Sequence, residues 1–187
     1  MAIRVYIDQG HNPRSPNAGA EGNGLREQDL VYQIGLETKA LFDQDEDFTA
    51  RLSRPTEDTI LGTSNATSLA IRVNEANAWG ADLFLSLHCN AAADPTVSGQ
   101  EALVFSRQST SYSIAEVLLE ALSQSTGLRN RGIFIRPGLY VLRRTQMPAV
   151  LLELGFITNP ADAALLRDRP DLFARGIYLG CVRYYGV

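Results

Sequence analysis

Cysteine is scarce in this sequence: Cys89 and Cys181 are the only two, they lie far apart, and neither stands in a Cys-x-x-Cys pair. Both read as small buried hydrophobes, and a chain of this size needs no disulfide framework. Positive charge is also in short supply. Against 21 Asp and Glu there are 17 Lys and Arg, a net charge of −4 with a pI near 5.2, so there is no overall attraction to phosphate and no nucleic-acid partner is expected. The opening MAIRVYIDQGH lacks a basic leader, a long apolar run and a cleavage site, so it does not read as a signal peptide. No stretch approaches the about 20 apolar residues of a membrane span. Internal repeats, low-complexity tracts and Pro- or Ser-rich linkers are missing as well. Residues 1–187 therefore read as a single domain without an appended binding module.

What is present is an ordinary globular composition, 45% hydrophobic and 20% charged over 187 residues. Residues 2–7 (AIRVYI) form a short β-branched run suited to a buried strand, followed from Gln9 to Gly24 by a long Gly, Asn, Pro and Ser-rich loop. Leu30, Val31, Ile34, Thr38, Leu41 and Phe42 share one helical face. Residues 47–53 predict a second strand, 66–79 a second helix, and LFLSLH at 83–88 the buried centre of a parallel sheet. A further strand is expected over 101–106, and Ile114, Val117, Leu118, Ala121 and Leu122 stripe a third helix that Gly127 ends. Two more apolar runs, 139–142 and 149–152, bracket Met147-Pro148, while Pro160 and Pro170 open helical segments. Phe173, Ile177, Cys181 and Tyr184 line the last helix. Strands alternating with helices predict an α/β sheet covered on both faces.

Ligands of such sheets bind beyond the carboxyl ends of the strands, which directs attention to the polar residues found there. His11 follows the first strand, Glu27 closes the glycine-rich loop at the first helix, His88 ends the central strand, and Glu153 ends AVLLE. The two histidines are the only ones in the chain. With Glu27 they make a His₂Glu set of the kind that binds zinc and leaves a fourth position for water. Glu27 has an equally simple reading as a carboxylate favoured by the helix dipole. Glu153 follows Val150-Leu151-Leu152, where a charged carboxylate needs a partner or a task.

These residues sit in words that resemble the amidase-3 family of zinc-dependent N-acetylmuramoyl-L-alanine amidases. The words are IDQGHNP at 7–13, GAEGNGLREQDL at 19–30, RVNEANAWGADLFLSLHCNAA at 72–92, SGQEALVFS at 98–106, TGLRNRGI at 126–133 and LYVLRRTQMPAVLLELGFITNP at 139–160. They run in the family's order over almost the whole chain. The resemblance implies a twisted, mostly parallel sheet, with His11, Glu27 and His88 as zinc ligands and Glu153 as the catalytic glutamate. It further implies cleavage, by zinc-activated water, of the amide between N-acetylmuramic acid and the L-alanine of the stem peptide, with peptidoglycan as partner; separately from the resemblance, a monomer is expected. Glu153 is expected to take a proton from that water and return it to the leaving nitrogen.

Behind these four stand Asn90, two residues beyond His88, which could orient substrate or the groups behind the ligands, and Glu101, which could support the site from the next strand. Asp8 reads as an anchor of the loop rather than a ligand. Cys89 should face away from His88 on a strand of period two. Arg129, Arg131, Arg143 and Arg144 could meet stem-peptide carboxylates, although a solvated face accounts for most of them. Without a signal peptide, such a protein would reach the wall through lysis, by a non-standard route, or after loss of a leader. Another zinc amide hydrolase acting on wall peptides, or a non-catalytic peptidoglycan-binding domain of the same fold, are the competing readings.

Overall fold

β-Branched and aromatic residues in alternation build the first strand, β1 (Ile3–Gln9), in a computed structural model that describes residues 1–187. Its Val5 and Ile7 enter one core and Tyr6 the other. The loop that follows closes with a short hairpin, β2 (Glu21–Gly22) and β3 (Leu25–Arg26), and delivers the chain into α1 (Glu27–Phe42). Next come β4 (Phe48–Leu52), α2 (Asn65–Trp79), β5 (Leu83–Asn90), β6 (Gln100–Val104), α3 (Thr110–Thr126) and β7 (Asn130–Ile135). A one-turn α4 (Tyr140–Arg144), β8 (Ala149–Phe156), α5 (Pro160–Asp168) and α6 (Pro170–Tyr185) complete the chain.

Local sequence explains most boundaries. Ser64 and Thr67 form a reciprocal capping box at the start of α2. Gly80 and Gly127 end α2 and α3 in left-handed conformations. Asn159 accepts bonds from Ala161 N and Asp162 N where Pro160 opens α5.

The six long strands lie in the order β4-β1-β5-β8-β6-β7. β1 pairs in parallel with β4 and β5, β5 with β8, and β6 with β7, whereas the β6–β8 junction is antiparallel. The expected mostly parallel sheet is therefore observed, with β6 and β7 running against the other four. α1, α3 and α6 cover one face, over a core that includes Leu83, Leu85, Leu87 and Cys89. α2 and α4 cover the other, over Tyr6, Phe84, Leu103 and Leu151. The period of two thus turns Cys89 inward and His88 the opposite way, as the pattern predicts.

After β1 the chain passes through α1 to β4 on one side, then through α2 to β5 on the other. The connections diverge between β1 and β5, and that divergence opens a crevice at the strands' carboxyl ends. One detail departs from the sequence reading: residues 130–135, where no strand was expected, add β7 at the sheet edge, while the apolar run 139–142 lies largely within the short α4.

Candidate metal centre and active site

The crevice is assembled from the ends of β1 and β5 and the start of α1. At the end of β1, Asp8 is buried and paired with the equally buried Arg72 of α2 at 2.5 Å, and Ser86 Oγ donates to its other oxygen at 2.8 Å. Burial pushes the Asp8 carboxyl up, but the Arg72 guanidinium and these bonds overcome that and hold it below the ordinary carboxylate range. Asp8 is an anchor, as the sequence suggested. Arg72 also donates to the carbonyls of Gln9 and His11, at 2.7 and 2.5 Å, so one cation fixes the backbone that carries His11. His11 itself adopts φ +66°, a left-handed conformation uncommon outside glycine, and such strain is found where a site demands it.

Glu27 stands in the first turn of α1. Its Oε2 accepts from Ala20 N at 2.9 Å, and Glu27 N in turn donates to Ala20 O. Its Oε1 is approached by His11 Nε2 at 3.1 Å, His88 Nδ1 at 2.9 Å and Cys89 N at 3.0 Å. Three partners crowd an oxygen that has two lone pairs. The helix dipole alone does not explain this convergence. Burial pushes Glu27 up, but the bonds from the two imidazoles prevail and hold it well below the usual range. Burial likewise depresses His88, and the bond and charge of Glu27 reverse this and raise it.

The donor atoms of His11, Glu27 and His88 all lie within 4.8 Å of one another, and each imidazole is 20% exposed, open to an arriving ion. Two imidazoles and one carboxylate are the donor chemistry that zinc accepts, and the shared oxygen is the kind of crowding that an ion would relieve. Glycines make this approach possible. A Cβ on Gly10 would lie 2.5 Å from His88 Cε1 and 2.6 Å from Leu87 O, and one on Gly19 2.8 Å from Glu27 Oε2.

Glu153 stands directly across from His88 in the β5–β8 register and across from Glu101 in the β8–β6 register. The three residues form one row over three strands. Glu153 Oε2 is buried and has no hydrogen-bond partner. Burial raises its pKa from 4.5 to about 7; the nearby His88 opposes this, and the carboxylates of Glu27 and Glu101 add to it. An acid poised near neutrality can both accept and return a proton. Glu101, by contrast, is bonded to Arg131 Nε at 2.7 Å and to Asn90 Nδ2 at 3.1 Å. Asn90 and Glu101 therefore adjoin the site as one hydrogen-bonded unit. A cleft of about 150 Å³ opens on the other side, lined by His11, His88, Leu69, Leu139, Tyr140 and Leu151.

Sequence reasoning missed the buried arginines. Arg72 and Arg54 are 1% and 0% exposed, and Arg54 Nη1 donates to Gln28 O at 3.0 Å. Arg72 carried a usable signal, because it lies three residues after Leu69 on the apolar face of α2. Buried Asn12 also escaped notice; it bonds Leu61 O and Leu61 N and ties the His11 loop to the segment before α2.

Taken together, the α/β sheet and the crevice cluster define a hydrolase-like domain with the donors of a metal site. The family model described as "N-acetylmuramoyl-L-alanine amidase" matches residues 5–183. The N-acetylmuramoyl-L-alanine amidase CwlM of Bacillus licheniformis is 32% identical over 99% of this chain and 70% of its own length. LytC of Bacillus subtilis, another N-acetylmuramoyl-L-alanine amidase, is 34% identical over 97% of this chain but only 35% of its own length. Among solved structures, the catalytic domain of CwlV from Bacillus (Paenibacillus) polymyxa var. colistinus superposes with a TM-score of 0.86 at 31% identity, covering 99% of both chains. The chain belongs to the Amidase_3 family of N-acetylmuramoyl-L-alanine amidases. No helix in it is long and apolar enough to cross a membrane.

Proposed function

We propose that this chain is a peptidoglycan hydrolase that cuts the amide bond between N-acetylmuramic acid and the L-alanine of the stem peptide. His11, Glu27 and His88 would hold zinc, and Glu153 would carry the proton. The observation that supports this best is Glu153: poised near neutrality, with Oε2 buried and without a protein partner, and set across from His88. Zinc held by two neutral imidazoles and one carboxylate keeps a net positive charge, and when bound it supplies Lewis-acid polarisation and lowers the pKa of water.

The protein's own residues account for the rest. Glu153 Oε2 takes a proton from the attacking water, holds it in a desolvated site, and returns it to the alanine nitrogen as the carbon–nitrogen bond breaks. One carboxylate serves first as base and then as acid. Asp8 and Arg72 hold the His11 backbone, while Ala20 N and Cys89 N fix both oxygens of Glu27, so the ligands are oriented before any ion arrives. Asn90 and Glu101, bonded to each other, border the side where the peptide would lie. The same reading takes residues 1–187 as one catalytic domain that works at the cell wall as a monomer.

Digestion of purified peptidoglycan, with chelator and with zinc restored, tests the reading through the chemical ends it creates. New alanine amino groups without new reducing sugars, lost on chelation and recovered with zinc, are expected. Cleavage further along the stem would make this a peptidase. Sedimentation with the wall without any bond cut would make it a binding module.

A further inference from the structure

Of the four arginines that the sequence offered for stem-peptide carboxylates, Arg129, Arg143 and Arg144 are exposed and make no side-chain hydrogen bond. Arg131 differs. Its Nε donates to Glu101 Oε1 at 2.7 Å, its Nη1 to Ser98 O at 3.3 Å, and its guanidinium lies 5.1 Å from the Phe156 ring centroid. Its stem packs over Gly99, where a Cβ would stand 3.0 Å from both Cγ and Cδ. The side chain is still 30% exposed.

An arginine has five N–H donors, and these contacts occupy two. The three that remain lie on the Nη1–Nη2 end, the planar fork that matches a carboxylate in a bidentate pair. The guanidinium is thus fixed in place and partly exposed, with three N–H donors unpaired.

Its position sets what it can reach. Glu101 and Glu153 are paired residues on adjacent strands, and Arg131 lies at the β6–β7 irregularity beside Glu101. With strands about 4.8 Å apart and Arg131 Nε 2.7 Å from Glu101 Oε1, the guanidinium lies one to two strand spacings, roughly 5–10 Å, from the Glu153 carboxyl. In an extended peptide, the α-carboxylate of the second stem residue is about 7 Å from the scissile carbonyl carbon. The spans agree once a hydrogen bond is added. On the opposite side of His88, Arg72 is committed to Asp8 and the His11 loop and offers nothing to an anion.

We propose that Arg131 is a specificity-determining residue that reads the free α-carboxylate of the second stem residue, a γ-linked glutamate, and favours it over the neutral carboxamide. This rests on the function proposed above and adds the chemistry of the peptide side. Glu101 and Phe156 act as positioning residues that aim the fork.

Two muramyl tetrapeptides that differ only in carrying a carboxylate or a carboxamide at that position test it through kcat/KM. Wild type is expected to prefer the carboxylate by about 10–100-fold, the range of a charge-assisted bond. In Arg131→Gln that ratio should fall to about one, even if both rates drop because Glu101 loses its cation. Arg131→Lys, a point charge without the fork, should keep an intermediate ratio. Equal cleavage of the pair by wild type, or a preference that survives in Arg131→Gln, overturns the assignment without touching the proposed function. Cleavage of neither, or of another bond, overturns the proposed function and this inference together. The wild-type ratio needs no variant to fold.

Discussion

Arg72→Met tests whether the loop carrying His11 is held by buried charge. Arg72 and Asp8 are each 1% exposed and 2.5 Å apart, and the same guanidinium donates to Gln9 O and His11 O. Methionine roughly fills the stem's volume, so cavity formation contributes little and the stranded charge dominates. Asp8 would be left with Ser86 Oγ as a side-chain donor, and His11 O would keep only the long 3.5 Å bond from Arg54 Nη1. Removing one partner of a buried pair costs about 3–5 kcal/mol. A domain with about 5–15 kcal/mol in total would lose about a fifth or more of its stability. Urea unfolding in chelator measures this without a contribution from bound metal. The double variant Asp8→Asn/Arg72→Met should be more stable than Arg72→Met, because the stranded charge is gone.

The acid dependence has a fixed sign. Asp8 in the folded protein lies below its ordinary 3.8, so the pair's contribution is present above that pH and fades as pH falls through the folded value. Wild type and Arg72→Met should therefore converge in strong acid. Zinc affinity should weaken about 10–100-fold in the variant, as happens when groups behind metal ligands are removed. A loss below about 1 kcal/mol with unchanged zinc affinity would refute the reasoning.

Gly10→Ala should fold yet bind zinc poorly, because the new Cβ meets Leu87 O and the His88 ring within 2.6 Å and His88 is the side that can move; normal zinc content by elemental analysis would count against this. His88→Ala should lose the metal outright, read by the same analysis. Glu153 in metal-free protein is raised from 4.5 to about 7, so its protonated form stabilises the fold fully below pH 4.5 and this is lost as pH rises through 7. Glu153→Gln should then gain up to about 3 kcal/mol on wild type at pH 8.5 and nothing below pH 4.5, and a pH-independent difference in urea unfolding would contradict it.

His11, Glu27, His88 and Glu153 were legible because they interrupt apolar or glycine-rich runs at strand ends, where an α/β sheet places its ligands. The register that sets Glu153 between His88 and Glu101 was not. It depends on β6 reversing direction against β8, and strand–helix alternation carries no sign of that reversal. β7 was hidden because Arg131 and Gly132 break its alternation, and the apolar run 139–142 shows no element in the sequence because four apolar residues are too few to reveal a helical period. Arg72 and Arg54 resembled solvated charges. Only the fold brings the carbonyls of the His11 loop and Gln28 onto them.

The most direct test of the account is Glu153→Gln, with zinc content and peptidoglycan hydrolysis measured on the same preparation. The account predicts about one zinc per chain, as in wild type, and hydrolysis reduced by about 10²–10⁴-fold, the range of general acid–base catalysis. A near-normal rate with zinc in place would contradict it, because the proton would then be carried by some group other than Glu153.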